Sequence, residues 1–306
     1  MNSKIIVVGS SNTDMVIKAD KLPARGETVI GGKFLMNAGG KGANQAVAAA
    51  RLGGQVVFVA KVGNDIFGKQ ALHGFGQEGM QTTFVHTDSE NPSGIALIGV
   101  DATGENSIMV APGANARLLP EEVTTAIRAN PEAGWLLVQL EIPMETVEAA
   151  IRQGAASGLK VILNPAPAPA QPLSPDILGH LFAITPNESE TELLTGIKVT
   201  DIATARQAAQ YLFDKGIANV VITLGSKGAF VMNASVSEHI AAPVVEALDA
   251  TAAGDVFNGA LVVALSENQP IGEAVSFACR AAAISVTRMG AQTSIPVRRE
   301  VVLTGH

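Results

Sequence analysis

The chain has 306 residues, of which 47% are hydrophobic and 16% charged, and its formal net charge is −7. This apolar content is enough for a buried core, and the length fits one large α/β domain or two ordinary ones. The acidic balance and an aromatic content of only 4% argue against a surface that binds nucleic acid through phosphates or stacked bases.

Cysteine content and hydropathy indicate the compartment. A single cysteine, Cys279, excludes an internal disulfide framework. The first apolar run, residues 5–8, is too short for the core of a signal peptide. No stretch approaches the roughly 18 to 20 apolar residues of a membrane span. We therefore expect a soluble, cytoplasmic protein that binds neither nucleic acid nor membrane.

Short β-branched runs recur along the chain, each followed by a turn and a helical pattern. They are apolar on both faces, as in strands of a sheet that is covered on both sides. They lie at 4–9, 55–63, 135–141, 160–165, 181–187 and 219–225. Helical spacing of apolar residues is found at 43–50, 202–212 and 257–264. The repeats predict an α/β fold with a doubly wound, mostly parallel sheet flanked by helices.

Two regions interrupt this rhythm. Strand-like runs at 15–20 and 28–36, and at 94–101 and 106–112, are joined by turns without helices between them. We predict that they form two hairpins of one small β-sheet, a lid made from about residues 12–36 and 94–112 within a single 1–306 domain. The run at 94–101 is apolar on both faces, which indicates that its outer face is covered.

Polar residues follow several of the predicted strands. Asn12 and Asp14 come after the first strand, Glu141 ends the third, and Asn187 and Glu190 follow the fifth. Ligands of open α/β sheets bind at the carboxyl ends of the strands. We therefore expect the functional site at this rim.

The stretch D-A-T-A-A-G-D, residues 249–255, precedes an apolar helix. Backbone N–H groups at a helix start lack partners and favour negative charge. Ala252, Ala253 and Gly254 are small enough to let an anion approach that backbone. Asp255 is then either the N-cap of the helix or a carboxylate base beside an anion hole, a pairing that suits phosphoryl transfer.

Three further stretches allow both a structural and a functional interpretation. N-A-G-G-K-G-A-N-Q-A, residues 37–46, is either a ligand-cradling loop or a tight packing turn, and it does not match a Walker A sequence. Asn187 and Glu190 lie one helical turn apart, which suits either a helix cap or one hydrated magnesium ion. T-L-G-S-K-G, residues 223–228, is in most proteins an ordinary hairpin turn.

Taken together, these stretches resemble the ribokinase-like (PfkB) family of carbohydrate kinases. G-G-K-G-A-N-Q-A (39–46) is similar to the family's N-terminal signature, and D-A-T-A-A-G-D (249–255) to its C-terminal signature. Further matches follow in order at 11–14, 164–168, 185–188, 222–228 and 286–292, so the resemblance covers nearly the whole chain. Ala250 stands where the family signature usually has Thr.

The resemblance implies ATP-dependent phosphorylation of D-ribose at O5. Deoxyribose, a nucleoside or another sugar is the alternative within the class, and a catalytically silent sugar sensor is the alternative outside it. Asp255 would be the base, and the amides of Ala252, Ala253 and Gly254 the anion hole. The residues implied to bind the sugar are Asn12, Asp14, Gly40, Lys41, Gly42, Asn44, Glu141 and Asp255. Those implied at the nucleotide are Asn187, Thr223, Leu224, Gly225, Ser226, Lys227, Gly228, Gly254 and Cys279.

The resemblance also implies two ions and a protein partner. Glu190 would act on Mg²⁺ through water, and K⁺ would occupy a site made largely of carbonyls. The residues implied at the K⁺ site are Asp249, Thr251, Ser285, Arg288, Gly290 and Ser294. A simple ion pair between Asp249 and Arg288 is the competing interpretation. The lid would form a homodimer interface, which accounts for its doubly apolar strand.

Overall fold

A computed structural model describes residues 3–169 and 171–303, so both ends of the predicted 1–306 domain lie outside the described residues. The strands are β1 (Lys4–Val8), β2 (Asn12–Lys18), β3 (Lys33–Gly39), β4 (Val56–Gly63), β5 (Gln81–Asp88), β6 (Gly94–Val100), β7 (Asn106–Ala111), β8 (Ala133–Val138), β9 (Lys160–Leu163), β10 (Leu181–Ile184), β11 (Asn219–Thr223), β12 (Ala229–Met232) and β13 (Ser237–Ile240). The helices are α1 (Lys41–Arg51), α2 (Ile66–Gln77), α3 (Pro120–Arg128), α4 (Met144–Ala156), α5 (Pro175–Leu178), α6 (Glu188–Thr195), α7 (Ile202–Asp214), α8 (Ala253–Ser266), α9 (Ile271–Ser285) and α10 (Arg298–Leu303).

Nine strands form the main sheet, in the order β13-β12-β11-β10-β9-β8-β1-β4-β5. Neighbours from β11 through β5 are parallel, whereas β12 pairs antiparallel with both β11 and β13. Successive side chains of β1 enter opposite cores: Ile5 and Val7 pack on the side of α1, α8 and α9, while Ile6 packs on the side of α3, α4 and α7. Burial on both sides explains the continuous apolar runs and confirms the predicted doubly wound sheet.

Four strands form a second, small sheet, in the order β3-β2-β6-β7. Two antiparallel hairpins, β2–β3 and β6–β7, join through the parallel pair β2–β6. This confirms the small sheet built from two excursions of the chain. The strand predicted over 28–36 begins only at Lys33, because Gly31 and Gly32 have φ angles of 121° and 96°, which a regular strand does not allow.

The two faces of the small sheet differ in what they present. Asn12 and Asp14 lie on the face that is directed toward the carboxyl ends of the main-sheet strands. The opposite face carries large apolar side chains in register, Ile17 beside Phe34 and Leu97 beside Met109. Phe34 is 59% exposed and Met109 68%. Within one chain this outer face is uncovered.

Over the described residues, no helix has both the length and the apolar character that crossing a membrane requires.

Candidate active site

Side chains at the carboxyl ends of β1, β8, β9 and β10 meet the N-termini of α1 and α8. Parallel strands place their carboxyl ends at one edge, so residues far apart in sequence become neighbours there. Asn44 of α1 and Asp255 of α8, for example, are joined by a hydrogen bond of 2.9 Å. The predicted rim is therefore where the structure brings the polar residues together.

Asp255 lies inside the first turn of α8, because the helix begins at Ala253 and its N-cap is Ala252. The interpretation of Asp255 as the N-cap is wrong. Its carboxylate accepts hydrogen bonds from Asn44 Nδ2 at 2.9 Å and Gln45 Nε2 at 3.0 Å. Burial raises the pKa of Asp255, against the opposing effect of the positive charge of Lys41 and the two amide donors. The side chain is thus a buried, oriented acceptor.

The start of α8 has no side-chain cap. Ala252 has φ 60° and ψ 10°, a left-handed conformation that costs a non-glycine residue about 1 kcal/mol or more. The amide of Ala253 donates to the carbonyl of Ala250 over 3.2 Å, so it is already engaged in the tight turn. A Cβ added at Gly254 would meet no heavy atom within 4 Å. Open space therefore lies over the helix start, where negative charge is favoured.

Two glycines at the start of α1, the N-cap Gly40 and Gly42 in the first turn, are required by close packing. Gly40 has φ 88°, and a Cβ there would lie 2.7 Å from the amide nitrogen of Asn12. A Cβ at Gly42 would lie 2.5 Å from the backbone of Gly9 at the end of β1. The tight packing of this turn is thus confirmed, and it is compatible with a ligand-binding role of the same loop. This close approach of α1 to the end of β1 places Lys41 and Asn44 in the site.

Acidic side chains crowd around Lys41. Glu141 Oε2 accepts from Ser10 Oγ at 2.5 Å and from the amide of Lys41 at 2.9 Å. Burial, together with the negative charges of Glu141 and Asp255, raises the pKa of Asp14 to about 6, although Lys41 opposes the shift. Burial alone would lower the pKa of Lys41, but the surrounding carboxylates outweigh burial and raise it. The cluster is rich in hydrogen-bond acceptors and keeps one firmly protonated ammonium.

The side-chain amides of Asn44 and Asn12 present polar atoms on this side of the site. Asn44 Oδ1 is buried and has no hydrogen-bond partner among the residues that the structure describes. Buried polar atoms are nearly always paired, so this acceptor indicates a missing donor such as a ligand hydroxyl. Asn12 Oδ1 accepts from the buried Asn115 Nδ2 at 2.7 Å, which fixes the Asn12 amide. Asn115 lies in no recognisable motif, so nothing in the sequence predicts its place in the site.

A cavity of about 410 Å³ opens between the small sheet and the rim. Its polar lining includes Asn12, Asn115 and Glu141, and Val110 of β7 contributes an apolar wall. The volume falls in the range of small-molecule sites in proteins.

Asn187 and Glu190 form a capping box at the start of α6. Asn187 Oδ1 accepts from the amide of Glu190 at 2.8 Å, and Glu190 Oε2 accepts from the amide of Asn187 at 2.9 Å. The helix cap is therefore present, and it engages one carboxylate oxygen of Glu190, so it does not exclude a role of Glu190 toward magnesium. Burial raises the pKa of Glu190, partly offset by the Asn187 amide and the positive charge of Lys41.

The stretch 223–228 is a hairpin turn between the antiparallel strands β11 and β12, as its structural interpretation predicted. Leu224 and Gly228 close it with a backbone hydrogen bond of 2.8 Å. Cys279 lies in α9 and is only 4% exposed, within the apolar core. Burial raises the pKa of its thiol to about 11, so it is neutral at physiological pH.

Asp249 holds together the loop that leads into α8. Its Oδ1 accepts from the amide and hydroxyl of Thr251 at 2.9 and 2.6 Å, and its Oδ2 accepts from the amide of Gly290 at 2.8 Å. Burial acts to raise the pKa of Asp249, but these hydrogen bonds outweigh it and lower the pKa. Arg288 pairs with Glu300, so the competing interpretation of an Asp249–Arg288 ion pair is wrong.

Comparisons with known proteins show which proteins the whole chain is similar to. A family model described as pfkB family carbohydrate kinase matches residues 2–298. The chain is 46% identical to a ribokinase of Haemophilus influenzae over 302 residues, which cover 99% of this chain and 98% of that protein. It is 38% identical to a deoxyribokinase of Salmonella typhi over 292 residues, 95% of each chain.

Among solved structures, the Arabidopsis thaliana ribokinase in complex with ribose and ATP is similar to this fold, with a TM-score of 0.90. The two chains are 31% identical, and the match covers 99% of this chain and 98% of the plant protein.

Proposed function

This chain belongs to the pfkB family of carbohydrate kinases, and we propose that it transfers the γ-phosphate of ATP to O5 of D-ribose. The observation that carries the proposal is the buried carboxylate of Asp255 beside the open, uncapped start of α8. A base and an anion site side by side are what phosphoryl transfer to a hydroxyl requires. The full-length similarity to proteins named ribokinase supports the choice of sugar.

In the proposed reaction, Asp255 takes the proton of the sugar O5 hydroxyl. The oxygen attacks the γ-phosphorus, the bond to the β-phosphate oxygen breaks, and ADP leaves. Amides at the start of α8, those around Ala252 and Gly254, stabilise the charge on the transferring group, whereas the predicted third amide, that of Ala253, is engaged by the Ala250 carbonyl. Burial raises the pKa of Asp255, which makes its carboxylate a stronger proton acceptor than an exposed one.

We assign the acceptor cluster to the sugar hydroxyls. Asp14 and Glu141 offer carboxylate oxygens, and the unpartnered Asn44 Oδ1 offers a further acceptor. A sugar presents several hydroxyl donors at once, which matches this set. Asn12, Gly40, Lys41 and Gly42 complete the proposed sugar site.

The nucleotide is assigned to the neighbouring rim, at Asn187, at the turn 223–228 and at Gly254 on the start of α8. Cys279 is assigned to the adenine by family resemblance alone. Glu190 fits a role toward Mg²⁺ because its capping bond engages only one carboxylate oxygen. Bound magnesium would neutralise phosphate charge.

We further propose a potassium site at the loop before α8. The donor set of Asp249, Thr251, Ser285, Arg288, Gly290 and Ser294 would supply oxygen atoms, which suit an alkali ion. The hydrogen bonds that Asp249 accepts from Thr251 and Gly290 support a fixed geometry there. Turnover severalfold faster in potassium than in a bulky organic cation would support this site, and equal rates would contradict it.

The uncovered outer face of the small sheet supports a homodimer formed through that sheet, with the sheet acting as the lid of the sugar site. Exposed Phe34, Leu97 and Met109 supply an apolar surface of the kind that interfaces cover. A single domain and a cytoplasmic location complete the proposal, the latter consistent with one buried, unpaired cysteine.

A coupled assay of ADP release with ribose, 2-deoxyribose, fructose and adenosine tests the proposed substrate. We expect the highest kcat/KM with ribose. Preference for 2-deoxyribose would favour the second candidate, which rests on the similarity to a deoxyribokinase. Sugar binding without ADP release would indicate a silent sensor instead.

A further inference from the structure

Gln45 is fully buried, and both of its amide protons are used. Its Nε2 donates to Asp255 Oδ1 at 3.0 Å and to Asn164 Oδ1 at 2.9 Å. Its Oε1 accepts from Gln139 Nε2 at 2.6 Å. Three partners fix this amide, so the carboxylate of Asp255 is tied to the end of β9.

From Asn164, which follows β9, a series of hydrogen bonds leads on to α8. Asn164 Nδ2 donates to the backbone carbonyl of Thr185 at 3.0 Å, and Thr185 Oγ1 donates to Asn258 Oδ1 at 2.7 Å. Asn258 Nδ2 donates to the carbonyl of Gly254 at 2.8 Å. Thr185 and Asn258 are each 1% exposed, so they act through their neighbours and do not contact substrate.

This series of hydrogen bonds forms a ring, because it starts at Asp255 and ends at Gly254, and these two residues share a peptide bond. A peptide is planar, and its C=O and N–H point in opposite directions. Holding the Gly254 carbonyl therefore fixes the direction of the Asp255 N–H at the start of α8. One ring of hydrogen bonds holds both the carboxylate of Asp255 and the peptide beside it.

We propose that Thr185 and Asn258 are positioning residues for phosphoryl transfer, because they fix the Gly254–Asp255 peptide relative to the Asp255 carboxylate. This inference rests on the proposed function for its kinetic consequence. Removing the Thr185 hydroxyl frees the Asn258 side-chain amide to rotate, and the side-chain hydrogen bond from Asn258 Nδ2 to the Gly254 carbonyl, which adds to the helical backbone pairing, is then lost. The base and the anion site would no longer share one fixed geometry.

The test compares T185V, which removes the hydroxyl, with T185S, which keeps it. We expect kcat of T185V to fall by about tenfold or more, with KM for ribose and ATP within about twofold of wild type. T185S should retain most of the wild-type kcat. N258A should resemble T185V. The double variant should be no slower than N258A alone, because the short hydrogen bond of the hydroxyl goes to that amide at 2.7 Å, whereas its contact with the Leu163 carbonyl is long, at 3.4 Å.

Amide hydrogen exchange over residues 253–257, measured without substrate, gives a readout that does not depend on the sugar. Exchange there should be faster in T185V and N258A than in wild type or T185S. Unchanged exchange and an unchanged kcat in T185V, or additive losses in the double variant, would overturn the proposal. A wild-type chain inactive on every sugar would instead contradict the proposed function, and the exchange comparison would still decide the positioning role.

Discussion

Asp255 is the residue on which the proposed chemistry depends most. D255N keeps the size of the side chain and removes the proton acceptor. We expect turnover to fall by roughly 10² to 10⁴ while ribose binding survives. D201N serves as the control, because Asp201 caps α7 and asparagine caps helices equally well. Near-normal turnover of D255N would show that the carboxylate is not the base.

Asp14 gives the site a pH dependence that can be measured by binding alone. Its pKa of about 6 means that it becomes protonated as pH falls through that value and loses an acceptor for the sugar. We expect the affinity for ribose, measured by calorimetry, to weaken below pH 6 in wild type. In D14N the affinity should be weaker throughout and flat across the same range. A D14N profile that keeps the wild-type slope would assign the titration to another group.

The same shift has a consequence for stability, with the opposite sign. A carboxyl whose folded pKa lies above its unfolded value of 3.8 stabilises the fold below 3.8, and this contribution is lost as pH rises through about 6. At neutral pH the ionised Asp14 is therefore unfavourable for folding. D14N should unfold at a higher temperature than wild type at pH 7, and the difference should shrink in acid.

At the scale of elements, a substitution at the start of α8 should change stability and activity in opposite directions. Gly254 is in the first turn of the helix, and an added Cβ would meet open space. G254A should stabilise the fold by about 0.4 to 1 kcal/mol, because alanine loses less conformational entropy on folding. The new methyl group would stand where we place the phosphate, so kcat should fall at least tenfold.

G76A is the matched control for this variant. Gly76 lies in α2, away from the rim, and a Cβ there also meets no atom within 4 Å. It should stabilise the fold without loss of kcat. Equal kcat values for G254A and wild type would remove the anion site from the start of α8.

The main strands could be predicted because burial on both faces leaves a continuous apolar run in the sequence. β5 (Gln81–Asp88) was missed because polar residues interrupt it, as expected for an edge strand that is buried at few positions. The N-cap of α8 was missed because Ala252 adopts a left-handed conformation, which is uncommon for a non-glycine residue. Nothing in the local sequence indicates the left-handed conformation of Ala252.

The acceptor cluster of the site could be predicted, but its supporting amides could not. Gln45 and Asn258 look like ordinary polar positions on helices, and their importance comes from being buried against strand ends. Burial of that kind depends on how α1 and α8 pack on the sheet. The burial of these amides is therefore set by tertiary packing, which cannot be read from a single sequence.

At the scale of the whole molecule, the small sheet determines the expected assembly. A specific dimer through its outer face should bury about 1,000 Å² or more in total. M109K places a charge on that face, beside Leu97, and should give a monomer in light scattering at micromolar concentration. L193K is the control, because Leu193 is equally exposed, at 69%, but lies in α6. A dimer that persists in M109K would put the interface elsewhere.

The position of the phosphate in the product tests the central claim most directly. Wild-type protein is incubated with ATP, magnesium, potassium and ¹³C-labelled ribose, and the product is examined by NMR for carbon–phosphorus coupling. The proposed geometry predicts coupling at C5 and C4, as in ribose 5-phosphate, with one ADP formed for each sugar consumed. Coupling at C1, or ADP formation without a phosphorylated sugar, would contradict it.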